Sequence, residues 1–248
     1  MVKGLDTFQK YFADYEEQYV LIGGAACDIL FESNEVNFRA TRDLDMVLIV
    51  EALTPEFGEK FWKFIVDGKY RNKATNGSNP QFYRFDKPED DNFPKMIELF
   101  CRSDFKLKDA KGITPIHIDD EVSSLSAILL NDDYYKALLN GKEVRNGLSV
   151  LRPEYIILFK AKAYLDLKRQ KDLGEKVDSS DIKKHKKDVL RIASELMLEK
   201  VEELPIAVDA DIHSFIDLLE QEPFDQNSLK RYGLKNENVV ELLKRVFG

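Results

Sequence analysis

The sequence predicts an α/β protein in which a mixed β-sheet flanked by helices is followed by a helical carboxy-terminal domain. Three observations carry this. Short β-rich runs bounded by Gly, Pro and Asn clusters recur through the first half. Apolar patterns of helical period lie between them, and from Pro153 onward nearly every segment reads as helix. The change of character places the expected domains at residues 1–150 and 151–248.

Taken in order, residues 5–17 have helical period, and YVLIGG (19–24) reads as a strand entering a Gly-Gly turn. A helix starting near Ala25 follows, on the pattern of residues 24–33. The β-branched run DMVLIV (45–50) has the composition of a buried central strand. Residues 55–67 are helical again; QFYRFD (81–86), KMIELFC (95–101), ITPIHI (113–118) and EVRNGLSVL (143–151) read as strands. In the second half, PEYIILFKAKAYLDLKRQ (153–170) opens with Pro in its first turn, where the missing N–H costs nothing. SSDIKKHKKDVLRIASELM (179–197) opens on Ser and Asp capping candidates, and NENVVELLKRVFG (236–248) closes on Gly. The polar stretch QKDLGEKVDSS (170–180) between two helices is the best candidate for a mobile loop.

Composition sets limits. A chain of 248 residues with 44% hydrophobic content buries a real core. No stretch approaches the roughly 18 apolar residues of a membrane helix, and MVKGLDTFQK lacks a signal-peptide core, so a cytoplasmic protein with no membrane partner is expected. Cys27 and Cys101 have no disulfide or zinc spacing and read as small core residues. The net charge of −8 argues against a surface that binds nucleic acid throughout. Residues 160–191 nevertheless hold eleven Lys/Arg against six Asp/Glu, a local +5 that leaves −13 for the rest. That segment is either a solvated lysine-rich helix face or a local site for a polyanion. Inside its KKHKK run, His185 is expected to face solvent; His117 and His213 have no partner pattern. Phe82, Tyr83 and Phe85 are explained by a strand core more readily than by base stacking, and Trp62 by packing on a helical stripe.

The chemistry concentrates in three acids. Asp43 and Asp45 stand two residues apart at the mouth of a strand, so their side chains share a face at about 6–7 Å along it. Alone, they read as polar residues opening the strand beside Arg39 and Arg42. Glu98 changes that reading. It is the single charge in MIELFC, and Met96 and Phe100, which share its face, are apolar. A lone charge in a buried strand is costly unless it is paired or bound to metal. If the two strands are neighbours, three carboxylates converge, and a hard divalent cation such as Mg²⁺ is the natural compensation. A Glu98 turned away from the two aspartates, or an arginine standing in the cation's place, would remove this reading. Upstream, Gly23-Gly24 before a helix lets phosphate approach backbone N–H groups at a helix start, although a tight turn uses the same pair.

Gly23-Gly24, the run Arg39-Ala-Thr41-Arg-Asp43-Leu-Asp45 and Ile97-Glu98-Leu99 resemble the signature of the polymerase-beta-type nucleotidyltransferase superfamily, closest to its AbiEii-like branch, which includes bacterial type IV toxin–antitoxin toxins. The likeness spans roughly residues 18–192. It implies the nucleotidyltransferase fold for the first domain and nucleotide transfer from a nucleoside triphosphate with two Mg²⁺ ions on Asp43, Asp45 and Glu98. It also implies a catalytic Lys160, with Lys162 the poorer match, and nucleotide contacts from Gly23, Gly24, Thr41, Lys160 and Asp188. An antitoxin protein is an implied partner. An RNA acceptor held by Lys183, Lys184, Lys186 and Lys187 follows from the cationic run. The chain departs from the superfamily in having Gly-Gly where Gly-Ser is frequent, and in a long interval from Gly24 to Asp43. The alternatives are a non-catalytic nucleotide- or RNA-binding module on the same fold and a metal-dependent phosphohydrolase.

Overall fold

A computed structural model describes residues 2–32, 43–72, 82–101, 128–129 and 131–248. Thr41, Arg39, Arg42, His117 and the segment 113–118 lie outside them, as do the side chains of Phe82, Tyr83 and Cys101. The chain divides into two compact units, residues 1–119 with 142–151 and residues 120–141 with 152–248.

The first unit is built on a mixed sheet, confirming the α/β class. Among the described residues it has seven strands: β1 Tyr19–Ile22, β2 Asp43–Leu48, β3 Arg71–Asn72, β4 Phe82–Asp86, β5 Met96–Cys101, β6 Lys142–Arg145 and β7 Leu148–Leu151. Their order is β3-β4-β5-β2-β1-β7-β6. β2 is therefore central, antiparallel to β1 and parallel to β5, which explains its β-branched, two-sided apolar composition. The β6–β7 hairpin turns at Asn146 and Gly147, whose φ values of 52° and 69° are both left-handed, as a two-residue turn between strands requires. β7 then runs parallel to β1, with Leu21 opposite Val150.

Among the described residues, three α-helices belong to this unit: α1 Leu5–Phe12, α2 Gly23–Glu32 and α3 Pro55–Asp67. The α3 start follows from Thr54, whose side chain accepts from the Phe57 N–H at 3.3 Å, with Pro55 in the first turn. Apolar residues at helical spacing meet here: Phe8, Phe12, Phe57, Phe61 and Phe64 are all at most 1% exposed. Phe64 sits edge-on to Phe8 at 5.8 Å and to Tyr11 at 5.0 Å. Trp62 packs against Phe61 and Phe85, and Cys27 is buried in the core, both as expected. One boundary differs. The chain passes from β1 directly into α2 at Gly23, two residues before the expected start near Ala25, because Gly23 makes the bend alone at φ 61°.

The second unit is helical: α4 Asp132–Gly141, α5 Pro153–Asp172, α6 Ser179–Glu195, α7 Ile206–Gln221, α8 Gln226–Arg231 and α9 Asn236–Phe247. α5 buries residues around most of its circumference from Tyr155 to Leu167 and is the axis of the unit. After α5, Gly174 turns the chain at φ 85° and Asp178 caps α6 by accepting from the Ser180 N–H. No described helix is long and apolar enough to cross a membrane.

Phe64 tests the aromatic core. Phe64→Ala should lower stability by about 3–5 kcal/mol, read as a shifted urea midpoint; a change under about 1 kcal/mol would mean that the ring cluster does not hold α3 to α1.

Candidate active site on the central strands

The site rests on register. β2 and β5 run parallel with Asp45 opposite Glu98 and Asp43 opposite Met96. Directly paired residues project to one face, so Asp43, Asp45 and Glu98 share it, as the alternation of both strands predicts. Glu98 is 7% exposed and shares a hydrogen bond with Asp45. The next residue along the row is Ile22 of β1, opposite Asp45, and Gly23 follows it. A Cβ placed on Gly23 would stand 2.1 Å from Asp45 Oδ2 and would displace that carboxylate, and the φ of 61° strains any other residue there. The glycine bend and the acids are thus in contact through Asp45.

On the other flank the sequence reading missed a residue. Arg84 of β4 lies opposite Glu98 and donates to its Oε1 from Nε at 2.9 Å and from Nη2 at 2.6 Å. β4 is on the far side of β5 from β2, so Arg84 and Asp45 stand on the two strands that flank Glu98. Burial pushes the Glu98 carboxyl up, the Arg84 charge and its hydrogen bond pull it down together with the hydrogen bond to Asp45, and the Asp43 charge pushes it up again; the net direction is upward.

The donor set suits a hard cation, since every charged donor here is a carboxylate oxygen. Among the described residues, however, no group of three or more His, Cys, Asp or Glu is drawn together to hold a metal ion. Glu98 is turned to Arg84 through Oε1, which leaves the close Asp43 and Asp45 as the first candidates for metal ligands.

In the helical unit, Lys160 of α5 pairs with Asp188 of α6 at 3.0 Å, with side chains 12% and 8% exposed. Lys162 is engaged elsewhere, with Asp166 at 3.1 Å and Asp211 at 3.2 Å. His185 corrects an expectation. It is 5% exposed rather than solvent-facing, because with Ile182, Val189 and Ile192 it continues the buried stripe of α6 at helical spacing. The KKHKK run is therefore not one cationic face: Lys183 and Lys187 are exposed, while Lys184 and Lys186 are partly covered. His213 is exposed and its Nδ1 lies 2.9 Å from the Asp209 carbonyl of its own helix.

Three substitutions probe these pairs. The folded chain holds the Glu98 proton more tightly than the unfolded chain. Stability should therefore fall as pH rises from the ordinary glutamate value, about 4.3, through the raised one; Glu98→Gln should flatten that slope in thermal melts, and an unchanged slope would assign it to other groups. Lys160→Met should destabilise by about 3–5 kcal/mol, because it leaves Asp188 buried without its cation. The double variant Lys160→Met with Asp188→Leu should regain most of that loss, and failure to do so would show that the pair is not the source of it.

No family model matches the chain, and no curated protein matches it. Among solved structures it is similar to an antigenic nucleotidyltransferase-like protein from Paracoccidioides brasiliensis, with 16% identity over 97% of this chain and 93% of that one and a TM-score of 0.46. A likeness of that strength carries no argument about the chemistry of this chain.

Proposed function

We propose that the chain is a Mg²⁺-dependent nucleotidyltransferase whose catalytic face is formed by Asp43, Asp45 and Glu98. The observation that carries this is the in-register meeting of Asp45 with the buried Glu98 against the Gly23 bend. Asp43 and Asp45 would hold the metal, with Glu98 standing beside Asp45 on the paired strand and held by Arg84. Mg²⁺, when bound, would supply neutralising charge at the phosphate oxygens. Gly23 and Gly24 would admit the triphosphate close to backbone N–H groups at the start of α2. In the reaction an acceptor hydroxyl oxygen bonds to the α-phosphorus, the bridging bond to the β-phosphate breaks and pyrophosphate leaves. Glu98, whose affinity for a proton is raised by burial, is the group suited to take the hydroxyl proton. The nucleotide roles of Thr41, Lys160 and Asp188 rest on the resemblance alone, as do the AbiEii-like branch and its toxin role.

A second reading has one observation in its favour. Arg84 already supplies a cation to Glu98, which suits a non-catalytic module that keeps the fold and binds nucleotide without transfer.

The two readings separate in one assay. Purified protein incubated with labelled nucleoside triphosphates, Mg²⁺ and total RNA or protein should label an acceptor and release pyrophosphate, and Asp43→Ala should lower that by at least 10²-fold, about 2.7 kcal/mol of barrier. Labelling that persists in Asp43→Ala removes the metal role; nucleotide binding without pyrophosphate release supports the non-catalytic module. Growth arrest on expression, absent with Asp43→Ala, would support the toxin role.

A further inference from the structure

The helical unit holds a pocket that the carboxylate site does not use. It has a volume of about 750 Å³ and lies between α5, α6 and the segment that joins α7 to α8. Five lysines line it, Lys168 and Lys171 on α5 and Lys183, Lys186 and Lys187 on α6, against three acids, Asp172, Glu222 and Asp225. The helical repeat explains the layout: positions three and four apart stand on one face, so each helix presents a row of ammonium groups to the same space.

Their partners leave the pocket positive. Lys168 pairs with Glu222 at 2.7 Å, and Lys171 donates to the Ser179 hydroxyl, which brings no charge. Lys186 donates to the Glu222 and Pro223 carbonyls and lies over the Tyr164 and Phe224 rings at 5.7 and 5.5 Å. These contacts orient its ammonium, and the Glu222 carboxylate whose charge it feels is shared with Lys168. Burial holds its pKa below the ordinary lysine value, as expected of a cation kept partly out of water. Lys183 and Lys187 are exposed, and the charge of Lys187 is felt by Asp225 across the pocket. A protein of net charge −8 has thus gathered cations around one cleft.

Lysine is a point-charge donor, suited to phosphate oxygens without the planar matching that arginine gives. The ligand's form follows from the acids. Glu222 and Asp225 among the lysines repel a compact group carrying three or four charges, whereas a strand with one charge per phosphodiester can seat each phosphate on a lysine and pass the carboxylates between. Both rings near Lys186 are buried, at 5% for Tyr164 and 3% for Phe224, so a platform for stacking bases is absent from this wall. We propose that this pocket binds the phosphodiester backbone of a single-stranded nucleic acid without reading its bases. The proposal stands on the helical unit alone and does not depend on nucleotidyl transfer.

The test is fluorescence anisotropy with a short fluorescein-labelled single-stranded RNA of mixed sequence, from about 50 to about 200 mM salt. The full chain should bind, with similar affinity for a second unrelated sequence. Lys183→Ala with Lys187→Ala should weaken binding by about tenfold and reduce the slope of log K on log salt by about 1.4, two contacts at about 0.7 each. Both side chains are exposed, so the melting temperature should stay unchanged. Equal affinity and slope in the double variant would overturn the proposal, and so would absence of binding at the lowest salt. Displacement of the RNA by stoichiometric ATP would overturn the phosphodiester assignment in favour of a free nucleotide. Asp43→Ala should retain full RNA binding, so a failed transfer assay and a failed pocket are read separately.

Discussion

The parallel pairing of β2 with β5 is the constraint on which the candidate site depends. Its register sets Asp45 beside Glu98, and no other pairing of these two strands by an odd shift would keep the three acids on one face. The register is itself secured by packing: Leu44 faces Ile97 and Met46 faces Leu99 on the opposite side, all four fully buried. A one-residue slip of β5 would turn Glu98 onto that apolar side, away from Asp45. Hydrophobic pairing on one face of the sheet therefore positions charge on the other.

Arg84 meets that charge with its own, donating to Glu98 from β4, while Asp45 stands beside Glu98 from β2 as a second acid and Gly23 lies against the Asp45 carboxylate at the end of β1. Four strands thus meet at one row across the sheet, Arg84–Glu98–Asp45–Ile22. A Glu98 held by arginine is stable without a metal, whereas the aspartates stand closer to the strand mouth and are less covered. A cation added there would act first on Asp43 and Asp45 and would compete with Arg84 only for Glu98.

Much of this was legible before any coordinates. Period-two alternation put Asp43 and Asp45 on one face, and a single charge among Met96, Ile97, Leu99 and Phe100 marked Glu98 as buried and in need of a partner. Local composition also marks the Asn146-Gly147 hairpin and the Pro153 helix start. Arg84 was not legible as that partner, because the neighbour of β5 is decided by long-range pairing that the run QFYRFD does not encode. α4 had a signal that went unused: Asn131 accepts from the Asp133 and Tyr134 N–H groups, two acids occupy the first turn and Gly141 ends the helix.

His185 shows the remaining failure in physical terms. Read by composition, KKHKK is a hydrophilic block and its histidine belongs to solvent. Read by phase, position 185 lies three after Ile182 and four before Val189, on the stripe that α6 turns inward. Phase prevails because each residue's direction on a helix is fixed by the backbone, and a single imidazole cannot leave the stripe without turning Val189 and Ile192 outward. The same geometry separates the four lysines around it, sending Lys183 and Lys187 outward and drawing Lys186 over the Tyr164 and Phe224 rings. A run of like charges on a helix is thus divided by its neighbours' burial into cations that hold structure and cations left in solvent.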